Sequence, residues 1–180
     1  MGKYKRIDRT LVHEGRIIDF YEDQIILPNG KQAKYDFIGH RGAAAIVAET
    51  EDGKIIMVNQ YRNALERDTI EIPAGGLNLG ENFKEAAIRE LEEETGYQVE
   101  AVEHLVDIYT TVAFCNEKIG IYCGKVKRKE EQCLDEDEFV DVKEYALEEL
   151  INMIMDGKIQ DSKTISGILT YKQWKERKRQ

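Results

Sequence analysis

The sequence lacks the features of several protein classes. It has three cysteines in 180 residues and no CxxC pair, which argues against a disulfide framework and indicates a reducing compartment. It has no apolar run near the roughly 18 residues that a membrane-spanning helix needs. Its first ten residues, MGKYKRIDRT, contain no apolar segment of the secretory type. We therefore expect a cytoplasmic protein with no membrane partner.

Positive charge is scarce as well. The chain has 26 Lys and Arg against 35 Asp and Glu, a net charge of −9 at pH 7. Proteins that bind nucleic acid do so largely by neutralising backbone phosphates with basic side chains, so we expect no nucleic-acid partner. An acidic protein that handles an anionic substrate needs a cation as intermediary.

Residues 1–40 predict a region of antiparallel strands. Stretches rich in Ile, Tyr, Phe and Val lie at about 9–12, 17–27 and 32–40, with a Pro-Asn-Gly hairpin signal at 28–30. A three-stranded sheet buries little apolar surface by itself. We therefore expect residues 1–40 to dimerise, with residues 41–180 as the main domain of a homodimer.

The remainder of the chain mixes strands and helices. Strands are predicted at 43–48, 55–58, 69–72, 99–108, 119–126 and 139–142, and helices at 82–95, 147–155 and 162–178. Residues 61–68 and 127–137 are predicted as irregular loops, and residues 74–76 as a Gly-rich turn. This order indicates an α+β fold with a mixed sheet.

The helix at 82–95 is the most informative element. Asn82 is a suitable N-cap with Glu85 as its capping-box partner, and Gly96 is a suitable C-terminal stop. The spacing places Glu90, Glu93 and Glu94 together on one face.

Three like charges on one helix face repel one another. A hard divalent cation relieves that repulsion because it takes carboxylate oxygens. The alternative, a solvated acidic face, is the more common explanation of such a cluster taken alone. The spacing of the surrounding residues decides between them.

Residues 75–97 match the pattern G-x5-E-x7-R-E-U-x-E-E-x-G-U, where U is a bulky apolar residue. The matching positions are Gly75, Glu81, Arg89, Glu90, Leu91, Glu93, Glu94, Gly96 and Tyr97. Its seven fixed positions recur by chance at roughly one in 10⁸ starting points at average composition. The stretch therefore resembles the Nudix box.

Within the Nudix family, the chain resembles the ADP-ribose pyrophosphatases whose N-terminal strands exchange between two subunits. The similar stretches are HRGAAAIVAE, VNQYR, EIPAGGL, YTTVAFCNEKI, LDEDEFVDV and DGKIQDSKTISGIL. The resemblance implies the Nudix fold, a mixed sheet between helices. It also implies hydrolysis of ADP-ribose to AMP and ribose 5-phosphate with Mg²⁺, or Mn²⁺ in its place, as water attacks a phosphorus.

The resemblance also implies roles for residues in and after the box. Glu90, Glu93 and Glu94 become metal ligands, with the Ala74 carbonyl as a possible further one. Arg89 orients the carboxylates and counts as catalytic. The general base is expected on an acidic loop, where Glu136 is the first candidate and Glu138 the second. A solvated charge run is the alternative for that loop.

Substrate contacts follow from the same resemblance, and all except Glu117 have a structural alternative. Arg62 corresponds to an arginine on the diphosphate, or is a surface arginine. Glu117 corresponds to an acid near the terminal ribose and the metal. Phe20 or Tyr21 stacks on the base from the partner subunit, or packs within a strand, and Glu71 is a base contact or a strand-exit acid.

The chain departs from the subfamily at residues 111–115. A pattern like SPGFS is typical there, whereas this chain has TVAFC, with Val112 in place of Pro and Ala113 in place of Gly. GDP-mannose or another nucleotide sugar is therefore an alternative substrate. A regulatory module that binds nucleotide sugars without turnover is a third possibility, although all fixed box residues are retained.

Overall fold

The computed structural model describes residues 3–134 and 139–178 and divides into two units. The first unit holds the residues up to Gly42 together with Tyr109–Lys118, and the second holds Ala43–Ile108 and the chain from Ile119 onward. The sequence predicts that residues 1–40 dimerise and that residues 41–180 form the main domain, and this remains a prediction.

The first unit contains an antiparallel sheet of three strands. These are β1 (Lys5–Glu14), β2 (Asp19–Ile26) and β3 (Gln32–Gly39), in the order β1-β2-β3. The three predicted strands are confirmed, and β1 is longer than expected. The β2–β3 turn is closed by a bond from the Leu27 N–H to the Lys31 carbonyl, and Gly30 takes a φ of 84° there, a conformation that favours glycine.

The remaining elements follow in chain order. They are β4 (Ala43–Glu49), β5 (Lys54–Arg62), β6 (Arg67–Glu71), β7 (Ala74–Gly76), α1 (Phe83–Thr95), β8 (Tyr97–Tyr109), β9 (Lys118–Lys129), β10 (Val140–Ala146), α2 (Leu147–Met155) and α3 (Ser162–Lys178). In the described part of the chain, no helix has the length and apolar character that crossing a membrane requires.

The large sheet of the second unit is mixed. Its strands run in the order β10-β5-β4-β9-β8, with β6 beside β5 and β7 beside β4. Strand β4 pairs in parallel with β9 and antiparallel with β5 and β7. Strand β4 lies at the middle of this order and is buried along its whole length.

Helices cover both faces of the large sheet. Successive side chains of a strand point to opposite faces, so Val47 packs with Leu150 and Ile168 on the side of α2 and α3. Ile46 packs with Leu91 of α1 on the other side. The predicted α+β class, a mixed sheet between helices, is confirmed.

Both predicted ends of α1 are confirmed. The Asn82 side chain accepts the Glu85 N–H at 3.0 Å, and the Glu85 side chain accepts the Asn82 N–H at 3.3 Å. Gly96 ends the helix with a φ of 72° and donates its N–H to the Glu92 carbonyl. These local bonds hold the box helix in one register.

Three segments are more regular than predicted. Residues 74–76 form strand β7 instead of a turn, with Ala45 opposite Ala74 and Ala43 opposite Gly76. Strand β5 continues to Arg62 opposite Arg67, within the segment predicted as irregular. Strand β9 likewise extends to Lys129. In each case backbone hydrogen bonds to a neighbouring strand override a polar or glycine-rich composition.

One face of α3 packs against the sheet. Ile168 and Tyr171 on that face are buried, whereas Leu169 is 39% exposed. The α-helical period turns Leu169 away from the sheet that Ile168 contacts, because adjacent residues lie about 100° apart around a helix.

Candidate active site

Arg89 joins the carboxylates at the box. Its Nε and Nη2 donate to the two oxygens of Glu81 at 2.8 and 2.9 Å. Its Nη1 donates to Glu90 Oε1 at 2.7 Å and to Glu93 Oε2 at 2.8 Å. Nη2 also reaches the Gly76 carbonyl at 3.0 Å. Arg89 therefore contacts the carboxylates that it is predicted to orient.

The charges of this cluster stabilise one another. Hydrogen bonding to Glu81 raises the pKa of Arg89; burial offsets part of this, and Glu93 and Glu90 add to it. The Arg89 guanidinium in turn lowers the pKa of Glu81, more than burial raises it. Glu81 is thus an ionised anchor for the Arg89 guanidinium.

Strand β7 approaches the box helix closely. The Ala74 N–H donates to Glu94 Oε2 at 3.0 Å, and Glu94 is only 3% exposed. A Cβ added at Gly75 would overlap the Glu90 carboxylate, whereas one at Gly76 would meet no atom within 4 Å. Glycine at position 75 is therefore a steric requirement for the position of Glu90.

The donor set of this cluster fits a hard divalent cation. Glu90, Glu93 and Glu94 offer carboxylate oxygens, the ligand type that Mg²⁺ takes. Among residues 3–134 and 139–178, no three His, Cys, Asp or Glu side chains are grouped closely enough to form a metal site. The Arg89 guanidinium donates to both Glu90 and Glu93, so in this structure these two carboxylates are directed towards a side-chain cation.

Arg62 and Glu71 form a second charged cluster. Arg62 donates from Nε and Nη2 to the two oxygens of Glu71 at 2.7 and 2.6 Å. Thr69 Oγ1 donates to Glu71 Oε1 at 2.6 Å, and Lys163 Nζ binds Oε2. Burial raises the pKa of Glu71, but these donors outweigh it and lower the pKa to about 2. Both predicted substrate contacts are thus paired with each other.

Lys163 is a charged residue of this cluster that sequence reasoning missed. It lies in the first turn of α3, two residues after Asp161. A cation there opposes the helix macrodipole, so a lysine at that position indicates a specific acidic partner. That signal could have identified it.

Tyr21 and Phe20 differ in their surroundings. Tyr21 lies beside Phe37, with ring centroids 5.8 Å apart, and the Arg9 guanidinium lies 3.5 Å from the Phe37 centroid. A cavity of about 390 Å³ in the first unit is lined by Arg9, Arg16, Tyr21, Phe37, His40 and Arg41, and not by Phe20. Of the two predicted aromatics, Tyr21 therefore lines this cavity. Arg9 was not foreseen as part of it.

Glu117 also lies in the first unit. Its Oε2 accepts the Thr110 hydroxyl at 2.7 Å, and its Oε1 lies 3.5 Å from His40 Nε2. The predicted general bases, Glu136 and Glu138, lie outside the described residues. A larger cavity of about 750 Å³, lined by Glu49, Cys123, Tyr171 and Trp174 among others, includes none of the predicted site residues.

Known proteins are similar to this chain over most of its length. The family model described as NUDIX domain matches residues 39–166. A methanol dehydrogenase activator of Bacillus methanolicus is 43% identical over 173 residues, 93% of this chain and 94% of that protein. An ADP-ribose pyrophosphatase of Bacillus subtilis (strain 168) is 41% identical over 174 residues, 96% of this chain and 94% of that protein.

Two further matches are more distant. A GDP-mannose pyrophosphatase of Yersinia enterocolitica is 31% identical over 140 residues, 73% of each chain. The crystal structure of an ADP compounds hydrolase superposes with a TM-score of 0.86 over 99% of this chain and 97% of that one. Its identity of 20% makes this a match of fold alone.

Proposed function

The chain belongs to the Nudix family as a pyrophosphohydrolase, and from this we propose that it hydrolyses the diphosphate bond of ADP-ribose to give AMP and ribose 5-phosphate. The observation that carries the proposal is the Arg89-centred cluster, in which one guanidinium holds Glu81, Glu90 and Glu93. The 41% identity to an ADP-ribose pyrophosphatase over 96% of the chain supports the substrate.

Glu90, Glu93 and Glu94 would hold the divalent cation, Mg²⁺ or alternatively Mn²⁺, with the Ala74 carbonyl as a further ligand. When bound, the cation neutralises the diphosphate and acidifies a water molecule. Arg89 holds Glu90 and Glu93 through charge-assisted hydrogen bonds, so that they are placed before the substrate arrives.

The proton of the attacking water needs an acceptor outside the box. The box carboxylates are engaged, either with Arg89 or, for Glu94, with the Ala74 N–H. Glu136 or Glu138 is proposed to take the proton as general base, because a carboxylate not committed to the metal is the better acceptor.

Arg62, Glu117 and Tyr21 are proposed to serve binding. The Arg62 guanidinium supplies a positive charge for the diphosphate, and Glu117 is proposed to lie near the terminal ribose. The cavity beside Tyr21 is lined by two aromatic rings and three arginines as well as by Glu14 and Asp19, and its rings and arginines suit the stacking of a nucleobase.

Residues 1–40 are proposed to form a homodimer. In the described chain, β1 lies at an edge of the first sheet, and its apolar Ile7, Leu11 and Val12 are all exposed. Burial of this strand by a second copy explains apolar residues on an otherwise solvated edge. Analytical ultracentrifugation at micromolar concentration should show a dimer, and a clean monomer would remove this proposal.

GDP-mannose is the second candidate substrate. The observation that favours it is Val112 and Ala113 in place of the subfamily Pro and Gly, together with the GDP-mannose pyrophosphatase relative. Both candidates present a diphosphate to the same cluster, and they differ in the base, the sugar and the sugar oxygen that carries the diphosphate.

The decisive experiment is a substrate panel with product identification. The protein is incubated with ADP-ribose, GDP-mannose and other nucleotide sugars, with Mg²⁺ or with a chelator. We expect AMP and ribose 5-phosphate from ADP-ribose, with turnover abolished by the chelator. Preferential cleavage of GDP-mannose would replace the substrate assignment, and no metal-dependent turnover of any nucleotide sugar would refute the proposed function.

A further inference from the structure

Lys163 is a buried lysine at an unfavourable place in its helix. It is 8% exposed in the first turn of α3, where the helix macrodipole disfavours a cation. Burial of an ammonium group is itself costly unless the charge is paired. Its Nζ contacts two carboxylates, Glu71 Oε2 and, at 3.1 Å, Asp161 Oδ2. Its position is therefore explained by these anions and not by the helix.

Glu71 is shared between two cations. Its Oε1 accepts from Arg62 Nε and Thr69 Oγ1, and its Oε2 accepts from Arg62 Nη2 and Lys163 Nζ. The fork of Arg62 binds both oxygens at once, which fixes the plane of the guanidinium. Two cations and two carboxylates, counting Asp161, make this cluster neutral overall.

Arg62 is the outermost member of the cluster. Its side chain is 40% exposed, against 3% for Glu71 and 10% for Lys163. Hydrogen bonding to Glu71 raises the pKa of Arg62, burial lowers it, and the charges of Glu71, Glu94 and Asp161 raise it further. The guanidinium is thus within electrostatic reach of Glu94 and accessible to an anion.

The same end of α3 is attached to the strands that carry the box. Thr164 Oγ1 accepts the Ile72 N–H at 3.0 Å, two residues before the Ala74 N–H that holds Glu94. Asp161 Oδ2 in turn accepts the Thr164 hydroxyl at 2.6 Å. Lys163 is therefore part of a rigid connection and not a mobile surface lysine.

Resting on the proposed function, we propose that Lys163 is a positioning residue for substrate binding. Its ammonium group balances the negative charge of Glu71. Glu71 can then fix the orientation of Arg62 without cancelling the positive charge that Arg62 presents to the diphosphate. Without Lys163, the cluster carries one net negative charge and Arg62 becomes the only strong counter-charge of Glu71. An anionic substrate is then held less well.

The variant Lys163→Met removes the charge and keeps a side chain of similar length. We expect KM for ADP-ribose to rise on the order of tenfold, as a lost charge interaction near a surface would produce. The turnover number should change little, because the lost attraction acts equally on bound substrate and transition state. The matched control is Lys172→Met on the same helix, where the lysine pairs at the surface with Glu148 at 3.2 Å.

Two further measurements separate positioning from simple stability. Thermal unfolding of each variant shows how much protein is folded, and a purely structural role would lower stability or the active fraction with KM unchanged. That result would overturn the proposal. Lys163→Arg keeps the charge and should retain a KM near that of wild type, whereas a KM as high as that of Lys163→Met would also overturn it. If Lys163→Met does not fold, Lys163→Gln removes the charge in its place.

Failure of the proposed function can be recognised separately. If the wild-type protein hydrolyses no nucleotide sugar, the proposed function is refuted, and the role of Lys163 is decided by calorimetric binding of inorganic diphosphate with Mg²⁺. Weaker binding by Lys163→Met than by wild type and Lys172→Met supports positioning. Equal binding, or none by the wild type, overturns it.

Discussion

The steric role of Gly75 beside Glu90 can be tested by adding a single methyl group at position 75. In Gly75→Ala, the new Cβ would overlap the Glu90 carboxylate, so that carboxylate must move. The atoms met are the end of a flexible side chain, and the fold should survive. The bond from Arg89 Nη1 to Glu90 Oε1, now 2.7 Å, would be lost or lengthened.

The expected effects on stability and activity differ in size. Extra volume in a packed site costs about 1–3 kcal/mol, and the freedom of Glu90 to rotate favours the lower end. Replacing glycine also restricts the unfolded chain, which offsets about 0.4–1 kcal/mol. We therefore expect Tm to fall by no more than about 2–4 °C. Displacement of a catalytic group by about 1 Å can reduce the rate about 10²-fold, so kcat/KM should fall by that order.

The matched control is Gly76→Ala, whose added Cβ meets no atom within 4 Å. Both variants make the same change to the unfolded chain, so their difference isolates the contact with Glu90. We would measure kcat/KM with Mg²⁺ and thermal unfolding for both. The reasoning is refuted if Gly75→Ala retains the activity of Gly76→Ala, or if both lose activity by the same factor.

Three further predictions address the metal ligands, the base and the buried carboxylate. Glu94→Gln should lower turnover by at least about 10²-fold while the fold is retained. The control Glu92→Gln, on another face of the same helix, should keep normal turnover. Normal turnover of Glu94→Gln at limiting Mg²⁺ would contradict the ligand assignment. Glu136→Gln or Glu138→Gln should reduce turnover by about 10²- to 10⁴-fold with little change in substrate affinity, and near-normal turnover in both singles and the double variant would place the base elsewhere. Folding lowers the pKa of Glu71 from 4.5 to about 2, so its ionisation contributes about 3 kcal/mol to the free energy of unfolding above pH 4.5, and this is lost as the pH falls towards 2. The difference in unfolding free energy between wild type and Glu71→Gln should therefore shrink over that range. A difference independent of pH would argue against the lowered pKa.

The box helix could be predicted closely because its determinants are local. The cap at Asn82, its partner Glu85 and the stop at Gly96 lie within one short segment, and the structure has all three. The contact between Arg89 and Glu93, four residues apart on the helix, follows from helical spacing in the same way. Residues whose partners lie within a few positions along the chain are readable without tertiary structure.

Residues with distant partners could not be assigned in this way. The choice between Tyr21 and Phe20 depends on which face of β2 lies beside the cavity. Arg62 lies opposite Arg67 and Glu71 lies opposite Val58, so the bond between Arg62 and Glu71 depends on side chains that reach along the strands. Composition and spacing therefore left both questions open.

By itself, the sequence determined the family, the α+β class and the helical face that carries Glu90, Glu93 and Glu94, because the box holds these residues on one turn-helix segment. Only the tertiary structure decided that residues 74–76 form a strand, that Gly75 leaves room for Glu90, and that Lys163 meets Glu71 from 92 positions away. Such contacts arise when separate elements pack, and no local pattern encodes them.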